Sequence, residues 1–181
     1  MAETPSNMVP LGTTLPPFSL PDAEGNFFTF NQQSKGFLVI FICNHCPYVV
    51  HIAHTLNTVQ SQCHDLGIEM VCINANDITA YPADAPKEMV RTANVYGWSF
   101  PYLFDETQEV ATTYSAACTP DVFLFDANQR LYYRGQFDDS RPNCGISTGK
   151  DLLNALNALA AGKNPPKNQK PAVGCNIKWK T

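Results

Sequence analysis

Cys43 and Cys46 are the residues whose type and spacing point most directly to chemistry. They stand in the run Cys43-Asn44-His45-Cys46-Pro47. A thiolate is the nucleophile of thiol–disulfide exchange, and a second thiol a turn away closes a small disulfide. The spacing alone is a weak signal, and its surroundings strengthen it. Residues 37–42, just before the pair, are apolar and rich in β-branched and aromatic side chains. That run is too short for a core helix and predicts a strand buried on both faces. After the pair, Val49, Ile52, Leu56, Val59, Cys63 and Leu66 recur at steps of three and four, the stripe of an amphipathic helix. The thiols therefore sit where a central strand ends and a helix begins. First-turn amides lack intrahelical partners and carry the positive end of the helix dipole, which stabilises a thiolate. This predicts Cys43 at the helix cap as the nucleophile and Cys46 as the thiol that resolves it. Pro47 fits the first turn, where its missing N–H is not needed. Two other readings compete: inert buried thiols, and a zinc half-site. Structural zinc wants four ligands, and the chain has no second Cys-x-x-Cys and no His-x-x-x-His.

Other reactive side chains are weighed against plainer roles. His45 precedes the second cysteine, where an imidazole favours the Cys43 thiolate and so the reduced pair. His51 and His54 are one turn apart, but His64 and Asp65 lie ten or more residues on, too far to share a metal with them. A solvated face is expected there, and no metal site. Cys72 in a buried run and Cys63 on the apolar stripe read as core thiols. Cys144 lies in a turn and reads as an exposed bystander. Cys118 and Cys175 are candidate third thiols: Cys118 stands two residues before Pro120, and Cys175 lies in the C-terminal tail, where a resolving role competes with simple packing.

The elements that must position these groups follow in order. Residues 18–20 and 27–30 flank a turn-rich hexapeptide and predict a β-hairpin. The strand and helix of the cysteine region come next, and Gly67 stops the helix. Residues 69–74 predict a second buried strand, giving a β-α-β unit. Residues 76–86 are irregular. Short helices are expected over 87–96 and 107–114, with a short strand over 100–104 between them. Residues 121–126 and 130–134 form a second hairpin, and 151–161 the last helix, stopped by Gly162.

Composition bounds the rest. The 181 residues suit one domain, expected over 1–163 with the first ten loosely ordered and a tail, 164–181, packed on it through Ile177 and Trp179. The net charge of −4 argues against nucleic acid as a partner. No apolar run is long enough to span a membrane, and the first residues carry no basic or apolar export signal. Seven cysteines, an odd number, then point to reduced thiols in a cytoplasmic protein rather than to a disulfide framework.

The order β-α-β, insertion, β-β-α resembles the thioredoxin fold, a three-layer α/β/α sandwich on a central mixed sheet. The resemblance rests on the Cys43–Cys46 pair, on Thr119-Pro120 just before a strand, and on the hairpin that follows. It implies that Pro120 is cis and faces the sulfurs, and that the Thr119-Pro120 backbone positions a substrate strand. The extra N-terminal hairpin and the long insertion over 75–105 are similar to the redoxin branch, the AhpC/TSA and peroxiredoxin-like proteins. Four phrases are similar to a peroxiredoxin-like subgroup: FICNHCPYV from Phe41, INANDITAYPADAP from Ile73, TPDVFLFD from Thr119 and GCNIKWK from Gly174. The chain departs from the peroxiredoxin pattern P-x-x-x-T-x-x-C. With Cys46 aligned to the reactive cysteine, Cys43 fills the threonine position and Val39 the proline position. Thioredoxin's buried strand acid is also missing, leaving Asp77 or Asp84 as the proton acceptor for Cys46. The resemblance implies an enzyme without a cofactor, exchanging disulfides with a protein substrate and drawing electrons from a thiol donor. The alternative it carries is a thiol peroxidase acting on hydroperoxides.

Overall fold

The structure, a computed structural model, describes residues 3–181. Two short antiparallel strands, β2 (Leu20–Pro21) and β3 (Phe27–Phe28), follow the N-terminal strand β1 (Glu3–Pro5) and form the expected hairpin. The central strand β4 (Gly36–Phe41) is buried along its whole length, as an apolar run flanked on both faces requires. Helices α1 (Pro47–Ile52) and α2 (Thr55–Leu66) lead to β5 (Glu69–Asn74). Gly67 ends α2 with φ of +71°, a conformation that costs glycine little. A 3₁₀ turn at Pro82–Asp84 precedes α3 (Pro86–Tyr96), and β6 (Tyr102–Phe104), α4 (Glu109–Thr113) and β7 (Cys118–Thr119) follow. Strands β8 (Asp121–Asp126) and β9 (Leu131–Tyr133) form the second hairpin, and α5 (Lys150–Ala160) and β10 (Val173–Asn176) complete the chain's elements.

The main sheet runs β6-β5-β4-β8-β9. Its β4-β5 and β5-β6 pairs are parallel, and its β4-β8 and β8-β9 pairs antiparallel. Alternation along β4 divides the core in two. Leu38 and Ile40 pack with Val49, Leu56, Val59, Met89, Leu152 and Leu156 from α1, α2, α3 and α5. Phe37, Val39 and Phe41 pack on the other face with Leu20, Ala111, Tyr114 and Ile177. This is the mixed-sheet sandwich expected of a thioredoxin-like fold.

Three local expectations are corrected. The helix after the cysteines is two helices, because Trp98 Nε1 donates to Ala53 O at 2.8 Å and takes a carbonyl that a continuous helix would use. The start of the chain, expected to be loose, contains a strand from its first described residue: Glu3–Pro5 pairs with β10, while residues 1 and 2 lie outside the described residues. Within the tail, Ile177 is buried but Trp179 is exposed, so only the first of the two expected anchors packs inside.

The tail also forms a strand that sequence periodicity did not mark. β10 lies between β1 and β7 in a second, three-stranded sheet.

Candidate active site

The chain leaves β4 at Phe41 and turns into α1 within five residues. Ile42 N–H donates to Ile73 O at 2.9 Å and holds the departing strand against β5. Cys46, not Cys43, is the cap residue of α1, with extended backbone and Pro47 as the first helical residue. Its carbonyl accepts from Val49 and Val50, both at 2.9 Å. The expected assignment of the cap to Cys43 is thus corrected. A proline in first place makes the residue before it the cap.

Both sulfurs face the residue before Pro120. The Thr119–Pro120 peptide bond is cis. Cys46 Sγ lies 3.1 Å from Thr119 O, and Cys43 Sγ lies 3.6 Å from Thr119 Oγ1. Both thiols are closed off from solvent, Cys43 at 1% and Cys46 at 0% relative exposure.

The two cysteines differ sharply in acidity. The neighbouring thiol of Cys43 pushes the Cys46 ionisation down to about 5, and Cys46 in turn pushes that of Cys43 well up. Burial opposes ionisation at both. The nearby charge of Asp84 raises Cys43 further. Thr119 O accepts from Cys46 only while that thiol keeps its proton, so this contact opposes ionisation. The Thr119 hydroxyl and the Cys175 thiol act the other way at Cys46. The stabilised thiolate is therefore Cys46.

A polar network supports the loop from below. Asp84 is buried and accepts from Asn44 N at 2.8 Å and from Asn76 Nδ2 at 2.8 Å. His45 Nδ1 stands 2.8 Å from Asp84 Oδ2, an ion-pair distance without hydrogen-bond alignment. Its ring stacks on Tyr81, centroids 5.7 Å apart. Asn44 is held at both ends, Nδ2 donating to Ala83 O at 2.9 Å and Oδ1 accepting from Tyr102 Oη at 2.9 Å. Asn74 Nδ2 donates to Asp84 O at 2.7 Å, and Lys178 N donates to Asn76 Oδ1 at 2.9 Å. Cys43, His45 and Asp84 bring one sulfur, nitrogen or oxygen atom each within 4.8 Å of one another, the one such group of possible metal ligands among the described residues. Both oxygens of Asp84 are already engaged by this network.

The predicted residues fall into two sets. Cys43, Asn44, His45, Cys46, Pro47, Thr119, Pro120 and Cys175 converge. Of the two candidate proton acceptors, Asp84 joins the site beside Cys43 and not beside Cys46, while Asp77 accepts from Thr79 N in its own turn. Cys63 and Cys72 are core thiols held protonated by burial, and Cys144 is exposed. His51 bonds Ser140 Oγ at 2.7 Å. Sequence reasoning missed Asn74, Asn76 and Tyr102. The available signal was Asn74 at the end of a largely apolar strand and Asn76 two residues beyond it.

The substrate-strand expectation meets an obstacle. The open edge of β7 is filled by β10, with Cys175 opposite Thr119 and Asn176 opposite Cys118. Gly174 fits closely enough that a Cβ there would fall 2.0 Å from Thr119 O.

Among known proteins, the description of the AhpC/TSA family matches residues 11–134. A hypothetical protein of Sinorhizobium meliloti 1021 is 45% identical, with a TM-score of 0.95 over 98% of this chain and 99% of its own. A conserved protein from Geobacillus kaustophilus is 47% identical, with a TM-score of 0.95 over 99% and 97%. A relative from Geobacillus thermodenitrificans (strain NG80-2), the thiol-disulfide oxidoreductase ResA, is 25% identical over 71% of this chain and 70% of its own.

Proposed function

The chain belongs to the AhpC/TSA family, and from that premise we propose that it is a thiol–disulfide oxidoreductase whose redox pair is Cys43 and Cys46. One observation carries the reading: two buried thiols, one strongly acidified, both meet Thr119, the residue before a cis proline.

The mechanism reverses the roles that the spacing alone suggested. The Cys46 thiolate attacks one sulfur of a substrate disulfide, and the other substrate sulfur leaves as a thiolate that takes up a proton. The Cys43 thiol then loses its proton and attacks Cys46 Sγ, releasing the second substrate thiol and closing the Cys43–Cys46 disulfide. Asp84 and His45 are the groups beside Cys43 placed to take that proton. A thiol donor returns the pair to its reduced form. The reading includes a protein disulfide as substrate and a reducing, cytoplasmic setting. No helix among the described residues is long and apolar enough to cross a membrane.

A thiol peroxidase is the second reading. The closure of both sulfurs favours it, because a hydroperoxide needs less opening than a protein does. Charge stabilisation weighs against it. A fast peroxidase needs donors aimed at the leaving oxygen. Arg130 bonds Gly12 and Thr14, Arg134 bonds Val9 and Gln169, Arg141 bonds Gln136, Asp138 and Ser140, and Arg91 is exposed beside Glu88. None of these contacts is to a thiol of the site.

Insulin reduction with dithiothreitol, run beside hydrogen peroxide consumption, tests the assignment. Insulin reduction lost in Cys46→Ser supports it. Rapid peroxide consumption without insulin reduction supports the peroxidase, and inactivity in both assays a binding module on this fold.

A further inference from the structure

Cys175 arrives at the site on β10, and two strands fix its position. Opposite β7 it is paired with Thr119, the residue that both Cys43 and Cys46 touch. On the other side β1 pairs Glu3 with Cys175 and Thr4 with Gly174. Gly174 lets β10 lie against Thr119 and Pro120 with no side chain between them. Cys175 is thereby buried in the same cluster as Cys43 and Cys46, close enough to Cys46 for the two thiols to shift each other's ionisation. Cys46 is the thiol whose ionisation both Cys43 and Cys175 influence. All three belong to one buried cluster.

Cys118, the other candidate, is turned elsewhere. Its Sγ donates to Pro120 O at 3.5 Å, and burial holds its proton firmly.

We infer that Cys175 is a third redox thiol of this site, exchanging with the Cys43–Cys46 disulfide to give a Cys46–Cys175 disulfide. The inference rests on the oxidoreductase reading, which supplies the first disulfide by reducing a substrate. The step needs no further oxidant. Cys175 gives up its proton, and its sulfur forms a bond to Cys46 Sγ. The Cys43–Cys46 bond breaks, its electron pair goes to Cys43 Sγ, and Cys43 takes a proton. One disulfide and one thiol are present before and after. Burial and the neighbouring Cys46 push the Cys175 ionisation up to about 12, so Cys175 waits as a thiol while Cys46 holds the charge. The product moves the disulfide onto the strand that covers the site and leaves Cys43 reduced.

Disulfide mapping of the full-length protein tests this. The reduced protein is oxidised with a limiting amount of diamide, free thiols are alkylated, and linked peptides are identified by mass spectrometry. Wild type is expected to yield both Cys43–Cys46 and Cys46–Cys175 linkages. Cys43→Ser should yield Cys46–Cys175 as its main intramolecular linkage, and Cys175→Ser should lose that linkage while keeping Cys43–Cys46. Absence of a Cys46–Cys175 linkage from oxidised wild type overturns the inference, whatever Cys43→Ser forms, so the test holds even if a variant fails to fold. Insulin reduction by wild type reports on the parent reading separately. Activity without the third linkage sinks only the role of Cys175, whereas absence of both activity and a reversible Cys43–Cys46 disulfide sinks the reading beneath it.

Discussion

The backbone oxygen of Thr119 lies 3.1 Å from Sγ of Cys46, so the end of one two-residue strand sets the surroundings of the more acidic thiol. The same residue turns its hydroxyl to Cys43 at 3.6 Å. That hydroxyl favours ionisation of both sulfurs. Thr119→Val keeps the carbonyl and removes the hydroxyl. A neutral hydrogen bond is worth about 0.5–1.5 kcal/mol, so the Cys46 ionisation should rise from about 5 by roughly one unit. Ultraviolet thiolate absorbance of the reduced protein measures the shift, and an unmoved titration removes Thr119 Oγ1 from the account.

The acidity of Cys46 also makes stability depend on pH. Its ionisation is near 5 in the folded protein and about 8.5 for an unfolded cysteine. Between those values the unfolded chain binds more protons, so rising pH stabilises the folded reduced state. The contribution is complete above the unfolded value and is lost as pH falls through about 5. Urea unfolding of reduced wild type and Cys46→Ser should therefore show a stability difference that grows in favour of wild type across this window. A difference that is flat with pH contradicts the assigned thiolate.

Gly174 is the tightest point of the cover over the site. Gly174→Ala would place a methyl group 2.0 Å from Thr119 O, and the backbone must move to admit it. Overpacking of this kind costs about 1–3 kcal/mol. The variant should melt earlier, and its Cys43 and Cys46 should be alkylated faster than those of wild type. Unchanged alkylation with a lowered melting point would mean that β10 does not control access.

Asp84 tests the polar network. Its carboxylate raises Cys43 by charge and binds the Asn44 amide at 2.8 Å. Asp84→Asn should let Cys43 ionise more readily, best read in a Cys46→Ser background where no neighbouring thiolate interferes. It should also destabilise the fold, since a hydrogen bond to a charged group contributes about 1.5–3 kcal/mol. A Cys43 titration that moves upward would reverse the sign of this argument.

Much of the site was legible because its parts lie close in sequence. Phe37 to Leu66 announces a strand, two thiols and a helical stripe, and both faces of β4 are buried as its composition required. Pro120 followed from resemblance to a known fold. The cap was misplaced although Pro47 carried the signal, since proline favours the first helical position and so marks Cys46. What could not be read were meetings across long stretches of chain. Asp84 reaches Asn44 from 40 residues away, and Trp98 reaches Ala53 from 45. β10 escaped because it is short and contains glycine. It becomes a strand only through the two neighbours that pair with it.

That pairing fixes an order of events during synthesis. Residues 3–5 leave the ribosome before any other part of the three-stranded sheet, residues 118–119 follow much later, and residues 173–176 come after both. Contacts between such distant segments form slowly, because a long loop must close before they are rewarded. The nascent chain can complete β4, α1 and α2 while nothing yet lies over Cys43 and Cys46. For that interval its thiols lie open to solutes, and the closing strand, not helix α1, covers them.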